Sequence, residues 1–195
     1  MLHDIEEKLR AHIEKIVPLT DQEFEFISGH FTVKNYKKRE LIIQSGESVP
    51  YLYFVISGLL MLSHNDDQGK QHIVSFAMED WWETDTLAWF TQTKASMSLQ
   101  CLEDTIVYCL SLPQYRALCA GIRKMEHFFL EKSNAGHIGA QRRILSFLTS
   151  NAKERYEQLL KRYPSLYQRV SKTLLAAYLG VSRETLSRLY HSSGK

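Results

Sequence analysis

Between residues 40 and 112 the chain breaks into short segments (40–44, 51–56, 59–64, 72–77, 96–102 and 106–112) rich in β-branched and aromatic residues. Turn signals separate them at Ser45-Gly46, Ser57-Gly58 and 65–69. Strands this short and this regularly interrupted predict a small antiparallel barrel or two-sheet roll of the jelly-roll kind. An amphipathic helix over 2–17 and a second over 23–28, capped by Thr20, precede them. From Pro113, which suits the first turn of a helix, the pattern is helical to the end. The expected class is therefore α+β, with a β-roll at 1–112, a long helix at 113–135 and a helical domain at 136–195.

The segment SKTLLAAYLGVSRETLSR, residues 171–188, contains two short helical patterns meeting at Gly180. Ser171 is a good N-cap, and Leu174, Leu175, Tyr178 and Leu179 give the first helix one apolar face. Glycine at 180 permits the left-handed backbone of a tight reversal. Ser182 then caps a second helix, from which Leu186 and Leu189 face back while Arg183, Glu184, Ser187 and Arg188 share the outward side. A guanidinium donates in parallel to the major-groove edge of guanine, and a carboxylate accepts from cytosine. Alternatively, Glu184 orients Arg188 from one turn away, and a solvated face of mixed charge has the same composition.

The formal net charge of +2 says little about partners, but its distribution says more. Residues 135–195 hold 11 basic and 3 acidic side chains, while the remainder holds 13 basic and 19 acidic ones. This asymmetry assigns the C-terminal part to a polyanion. Arg142, Arg143, Lys153, Arg155, Lys161, Arg162, Arg169 and Lys172 are the candidates for phosphate contacts, which set register without reading sequence. No apolar run approaches the ~20 residues of a spanning helix, and residues 1–17 lack the character of a secretory signal, so a cytoplasmic protein without a membrane partner is expected.

Cys101, Cys109 and Cys119, odd in number and widely spaced, predict buried thiols rather than disulfides or a cluster. The eight histidines are scattered. No metal or cofactor is expected, and no nucleophile–base pair or phosphate loop argues for an enzyme. Leu118, Ile122, Met125 and Phe129 recur at helical spacing, either as the seam of a homodimer or as a stripe packed on the chain's own strands. A twofold pair would present two reading helices one DNA turn apart. The glycines of SNAGHIGA, residues 133–140, suggest a hinge.

The run GESVPYLYFVISGLLML, the strand series around it, the following helix and the SRETLSR segment together resemble the Crp/Fnr family of bacterial transcription regulators. The resemblance spans nearly the whole chain. It implies a cyclic-nucleotide-binding β-roll, a dimerisation helix and a C-terminal winged helix, with Gly46 and Gly58 in the first hairpin turns. It gives Arg183, Glu184 and Arg188 the base-reading roles, with Ser171, Lys172, Thr173, Ser182, Thr185 and Ser187 as backbone contacts or supports. Double-stranded DNA, a second copy of the chain and RNA polymerase are the implied partners.

The resemblance weakens at the effector cassette. In the family, a Gly-Glu pair holds phosphate and ribose, and about ten residues on an arginine beside Ser or Thr neutralises the phosphate. Here Gly-Glu falls on Glu83-Thr84 or Thr84-Asp85 and the arginine on Ala95, with only Lys94 beside it. Trp81, Trp82, Glu83, Thr84, Asp85, Lys94, Ala95 and Ser96 are the candidate pocket, and the tryptophans either fill it or line a cleft for an unknown small-molecule effector. A second reading is a ligand-binding roll whose basic tail docks a protein or RNA. Against the family pattern, an abbreviated wing is expected both between residues 162 and 171 and after the second helix.

Overall fold

The computed structural model describes the backbone of residues 2–192 and the side chains of residues 4–188. Helices α1 (Leu2–Glu14) and α2 (Asp21–Ser28) lead into strands β1 (Thr32–Tyr36), β2 (Leu41–Ile43), β3 (Tyr51–Ser57), β4 (Leu60–Asn65), β5 (Gln71–Ala77) and β6 (Trp82–Glu83). A short α3 (Thr86–Thr91) precedes β7 (Ser98–Cys101) and β8 (Thr105–Ser111). The remainder is helical: α4 (Leu112–Gly121), α5 (Arg123–Thr149), α6 (Ala152–Arg162), α7 (Pro164–Arg169), α8 (Lys172–Leu179) and α9 (Arg183–Ser192). By internal contacts the chain divides into one unit of Met1–His64 with Ser75–Asn134, and another of Asn65–Val74 with Ala135–Lys195.

The strands form two four-stranded sheets, ordered β1-β8-β3-β6 and β2-β7-β4-β5. In the first sheet β3 and β8 run antiparallel with Tyr53 opposite Cys109 and Val55 opposite Val107. Because successive strand residues face opposite ways, Tyr53, Val55, Val107 and Cys109 enter the core of the roll. Phe54, Ile56, Tyr108 and Leu110 enter a second core beneath the helices, with Leu9 and Ile13 of α1. Both faces of this sheet are covered, which is why β3 reads as a continuous apolar run. Gly58 turns β3 into β4 at φ +106°, where an added Cβ would lie 2.7 Å from both the Asp104 carbonyl and the Thr105 Cα.

Caps set the helix starts. Thr20 and Glu23 form a capping box on α2, as Ser111 and Gln114 do on α4 and Asn151 and Glu154 on α6. The expected helix over 113–135 is two helices, because the backbone becomes extended at Ile122 (φ −134°, ψ 105°) before α5 begins. Residues 133–140 lie inside α5, and added Cβ atoms at Gly136 and Gly139 would meet nothing.

The expected dimer seam is corrected by burial. Leu118 and Met125 are fully buried, Phe129 is 4% exposed, and Ile122 packs on the same cluster, all within the core beneath the helices. Side chains already packed against Phe54 and Leu110 are closed to a partner. The apolar residues that α5 leaves exposed are Leu130, Ile138, Ile144, Leu145, Phe147 and Leu148, with Ile138, Leu145 and Leu148 at 46%, 59% and 78%.

In the second unit, α6 packs on α7 and α8, and α8 on α9. Tyr156, Leu159, Leu166, Val170, Leu175, Leu179 and Leu186 supply its buried apolar side chains. The interval proposed for a shortened wing holds the helix α7. No described helix is long and apolar enough to cross a membrane.

Candidate functional site

Helices α8 and α9 form the two arms of a helix-turn-helix. The Ser171 hydroxyl accepts from the Leu174 N–H at 3.3 Å and starts α8. Gly180 closes it in the left-handed region (φ 68°, ψ 36°), donating its N–H to the carbonyls of Ala176 and Ala177. The Val181 N–H then donates to the Ala176 carbonyl at 3.0 Å, so the reversal is hydrogen-bonded through two successive residues. Ser182 accepts from the Thr185 N–H at 3.2 Å and caps α9. Leu175, Ala176, Leu179 and Leu186 are buried and seat the helices against each other. The side chain of Leu189, the other expected packing residue, lies outside the described residues.

Arg183, Glu184 and Arg188 are exposed, while Thr185 and Ser187 are half-buried beside Leu186. One turn of helix separates Glu184 from Arg188, so they rise from the same face. Hydrogen bonds from its own backbone N–H and the Ser182 hydroxyl, with the nearby charges of Arg183 and Arg188, hold the Glu184 carboxyl below the usual carboxylate range. The face thus presents two cations flanking an ionised acceptor. Lys172 and Thr173, at the first turn of α8, are exposed.

Two of the candidate phosphate-binding arginines serve the scaffold instead. Arg143 donates to the Tyr178 carbonyl at 3.0 Å, and its guanidinium lies 3.7 Å from the Tyr178 ring centroid and 4.8 Å from that of Phe147. Burial lowers the pKa of its guanidinium from the ordinary value. Arg155 donates to the Leu179 carbonyl at 3.1 Å and the Ser150 carbonyl at 2.6 Å. Both arginines meet carbonyls at the C-terminal end of α8, where the helix dipole favours cations. Their charge signalled a polyanion surface in the sequence, but nothing local distinguished them from Arg142, Lys153, Lys161 and Arg162, which are exposed.

The effector cassette separates into three environments. Trp82 points beneath the helices, its ring centroid 5.0 Å from Phe54 and 5.8 Å from Phe129. Trp89 fills the core of the roll with Ala88 and Ala95, and Trp81 packs against the same cluster. Glu83 accepts from the Ser75 hydroxyl at 2.6 Å and the Thr84 N–H at 3.1 Å, and burial lifts its carboxyl to a pKa of about 7. The Thr84 hydroxyl donates to the Tyr51 carbonyl at 2.9 Å.

Of the eight candidates, the structure brings Asp85 and Ser96 together. Asp85, with no exposed surface, caps α3 by accepting from the Ala88 N–H. Its second oxygen, Oδ2, accepts from the Ser96 N–H at 2.9 Å, the Ser96 hydroxyl at 3.1 Å and the Met97 N–H at 3.1 Å. Ala95 is buried, and Lys94 is exposed and bridged in the backbone to Ser48. The position that the resemblance gives to the phosphate-neutralising arginine is thus a buried alanine, and the hydroxyl of the neighbouring serine donates to a carboxylate of the chain itself. Among the described residues no group of His, Cys, Asp and Glu has the arrangement of a metal site.

Comparison with known proteins agrees with this architecture. Residues 33–121 match the family model of the cyclic nucleotide-binding domain. The cAMP-activated global transcriptional regulator CRP of Haemophilus influenzae is 20% identical over 181 residues, spanning 87% of this chain and 80% of that protein. FixK2 of Bradyrhizobium japonicum shares the fold with a TM-score of 0.71 at 18% identity, over 84% of this chain and 86% of that one. The c-di-GMP-responsive global regulator CLP of Xanthomonas campestris does so with a TM-score of 0.72 at 15% identity, over 90% and 92%. Residues 33–121 thus match a cyclic nucleotide-binding domain, and over most of its length the chain shares the fold of these regulators.

Proposed function

We propose that the chain is a homodimeric, sequence-specific DNA-binding transcription regulator whose β-roll does not respond to a cyclic nucleotide. The observation that carries this reading is the division of α9 between buried Leu186 and the exposed Arg183, Glu184 and Arg188. Arg183 and Arg188 read guanines, and Glu184 accepts from cytosine or orients Arg188. Ser171, Ser182 and Thr185 hold the two helices in register, while Lys172, Thr173 and Ser187 flank the reading face and meet the DNA backbone. RNA polymerase is the further partner of such a regulator.

Dimerisation is supported by Ile138, Leu145 and Leu148, exposed apolar side chains seven and three residues apart on α5. This is the spacing of a helix–helix seam, and a second copy of α5 is its complement. Selection from a random duplex pool, followed by gel shifts at two salt concentrations, tests the proposal. Enrichment of a twofold motif is expected. Equal retention of all sequences, or of none, would refute it.

A further inference from the structure

Asp85 is a buried anion held by donors from two separate segments, and none of those four donors is a cation. Removing a carboxylate from water is costly unless hydrogen bonds replace its hydration. Capping α3 accounts for only one of the bonds, the one from Ala88 to Oδ1. The other three converge on Oδ2 from the adjacent residues Ser96 and Met97, at the entrance to β7. Two backbone N–H groups and a hydroxyl aimed at one oxygen are what an external oxyanion would require.

The neighbouring backbone fixes this donor set. Ala95 is bonded on both sides to the turn before β3, its N–H donating to the Glu47 carbonyl at 2.8 Å and its carbonyl accepting from the Gly46 N–H at 2.8 Å. Ser96 and Met97 follow directly and cannot swing away to find other acceptors without breaking that pairing. Ser96 is itself exposed, so the cradle lies next to the surface of the roll, while Asp85, which fills it, has no exposed surface.

We propose that the Asp85 carboxylate is a built-in ligand: it occupies an oxyanion cradle made by Ser96 and Met97 and thereby ties α3 to β7 without a diffusible effector. This rests on reading the roll as a sensor domain closed to cyclic nucleotides and supplies its physical cause. The ligand class of the cradle is a small oxyanion, admitted once the side chain at 85 is shortened.

The test is thermal unfolding of the full chain and of Asp85→Ala and Asp85→Asn, in chloride, acetate and inorganic phosphate at matched ionic strength, and with cyclic AMP. The wild-type midpoint is expected to be the same in acetate and chloride and unmoved by cyclic AMP. Asp85→Ala should melt several degrees lower and recover saturably with acetate or phosphate but not with chloride. Asp85→Asn, which fills the space with a weaker acceptor, should be destabilised without recovering. If Asp85→Ala does not fold in chloride, its refolding yield is read instead, and a higher yield in acetate is the expected result. Equal behaviour of Asp85→Ala in acetate and chloride overturns the proposal, as does saturable stabilisation of the wild type by cyclic AMP. Because these readouts contain no DNA, failure of the cradle is distinguishable from failure of operator binding in the gel shift.

Discussion

The indole N–H of Trp82 donates to Nε2 of His12 across 3.0 Å, joining β6 to α1 inside the core beneath the helices. The bond places the imidazole proton on Nδ1, which has no hydrogen-bonding partner and faces Asp80 at 3.8 Å. Phe54 and Phe128 surround the ring at 4.4 and 5.7 Å. Trp82→Phe preserves the aromatic packing but leaves a second buried nitrogen unpaired, so it should cost about 1–3 kcal/mol. Urea unfolding at pH 7 measures it.

His12 and Glu83 give the fold opposite responses to pH. Burial, with Lys132 adding to it, lowers His12 from 6.5 to about 4. The unfolded chain therefore binds more protons in that window, and stability falls as pH drops through it. Burial raises Glu83 from 4.5 to about 7, so the folded chain holds the extra proton there and stability falls as pH rises through about 7. The two slopes offset each other between about 4.5 and 6.5. Glu83→Gln should remove the second: its stability rises by about 2–3 kcal/mol from pH 4 to 6.5 and then stays level to pH 8, where the variant exceeds wild type by about 1–3 kcal/mol. Equilibrium urea denaturation across that range decides this.

Three glycine-to-alanine substitutions should differ in sign. At Gly58 the added Cβ meets backbone at 2.7 Å, and the loss should exceed about 2 kcal/mol. At Gly180 the left-handed φ of 68° and the Phe147 ring at 3.0 Å combine to cost about 1–2 kcal/mol. At Gly136, helical and open, alanine should stabilise by about 0.5–1 kcal/mol. Thermal denaturation of the three variants checks the order.

Arg183→Ala should weaken binding to a selected operator by about 1–3 kcal/mol and relax the preference at one base pair. Competition gel shifts against single-base operator variants measure it; equal weakening on every sequence would move Arg183 to a backbone role.

Leu145→Glu tests the open face of α5. Leu145 is 59% exposed within one chain, so the subunit's own stability should change by less than about 0.5 kcal/mol. Buried in a dimer seam, the same charge should weaken association roughly a hundredfold. Sedimentation velocity over a concentration series separates the outcomes.

The helix-turn-helix was legible because its determinants are local. Ser171, Gly180 and Ser182 act on backbone groups within three or four residues, so their spacing carried both helices and the reversal. The strands that lie inside the sheets were legible as well. Those missing from the sequence reading, β1 and β6, are the two edges of one sheet. The segment TVKNY carries polar residues and half-exposed side chains, and β8 supplies the pairing that makes it a strand.

Local pattern by itself determined the strands other than β1 and β6, the helical character of the C-terminal part, the capped turn of the helix-turn-helix and the charge division between the two parts of the chain. Tertiary structure alone decided what each apolar stripe and each charge faces. Periodicity marks Leu118, Met125 and Phe129 as one side of a helix without naming what covers it, and the core beneath the helices took them. Likewise, an aspartate and a serine eleven residues apart became one buried anion site because folding brings the start of α3 against the entrance to β7.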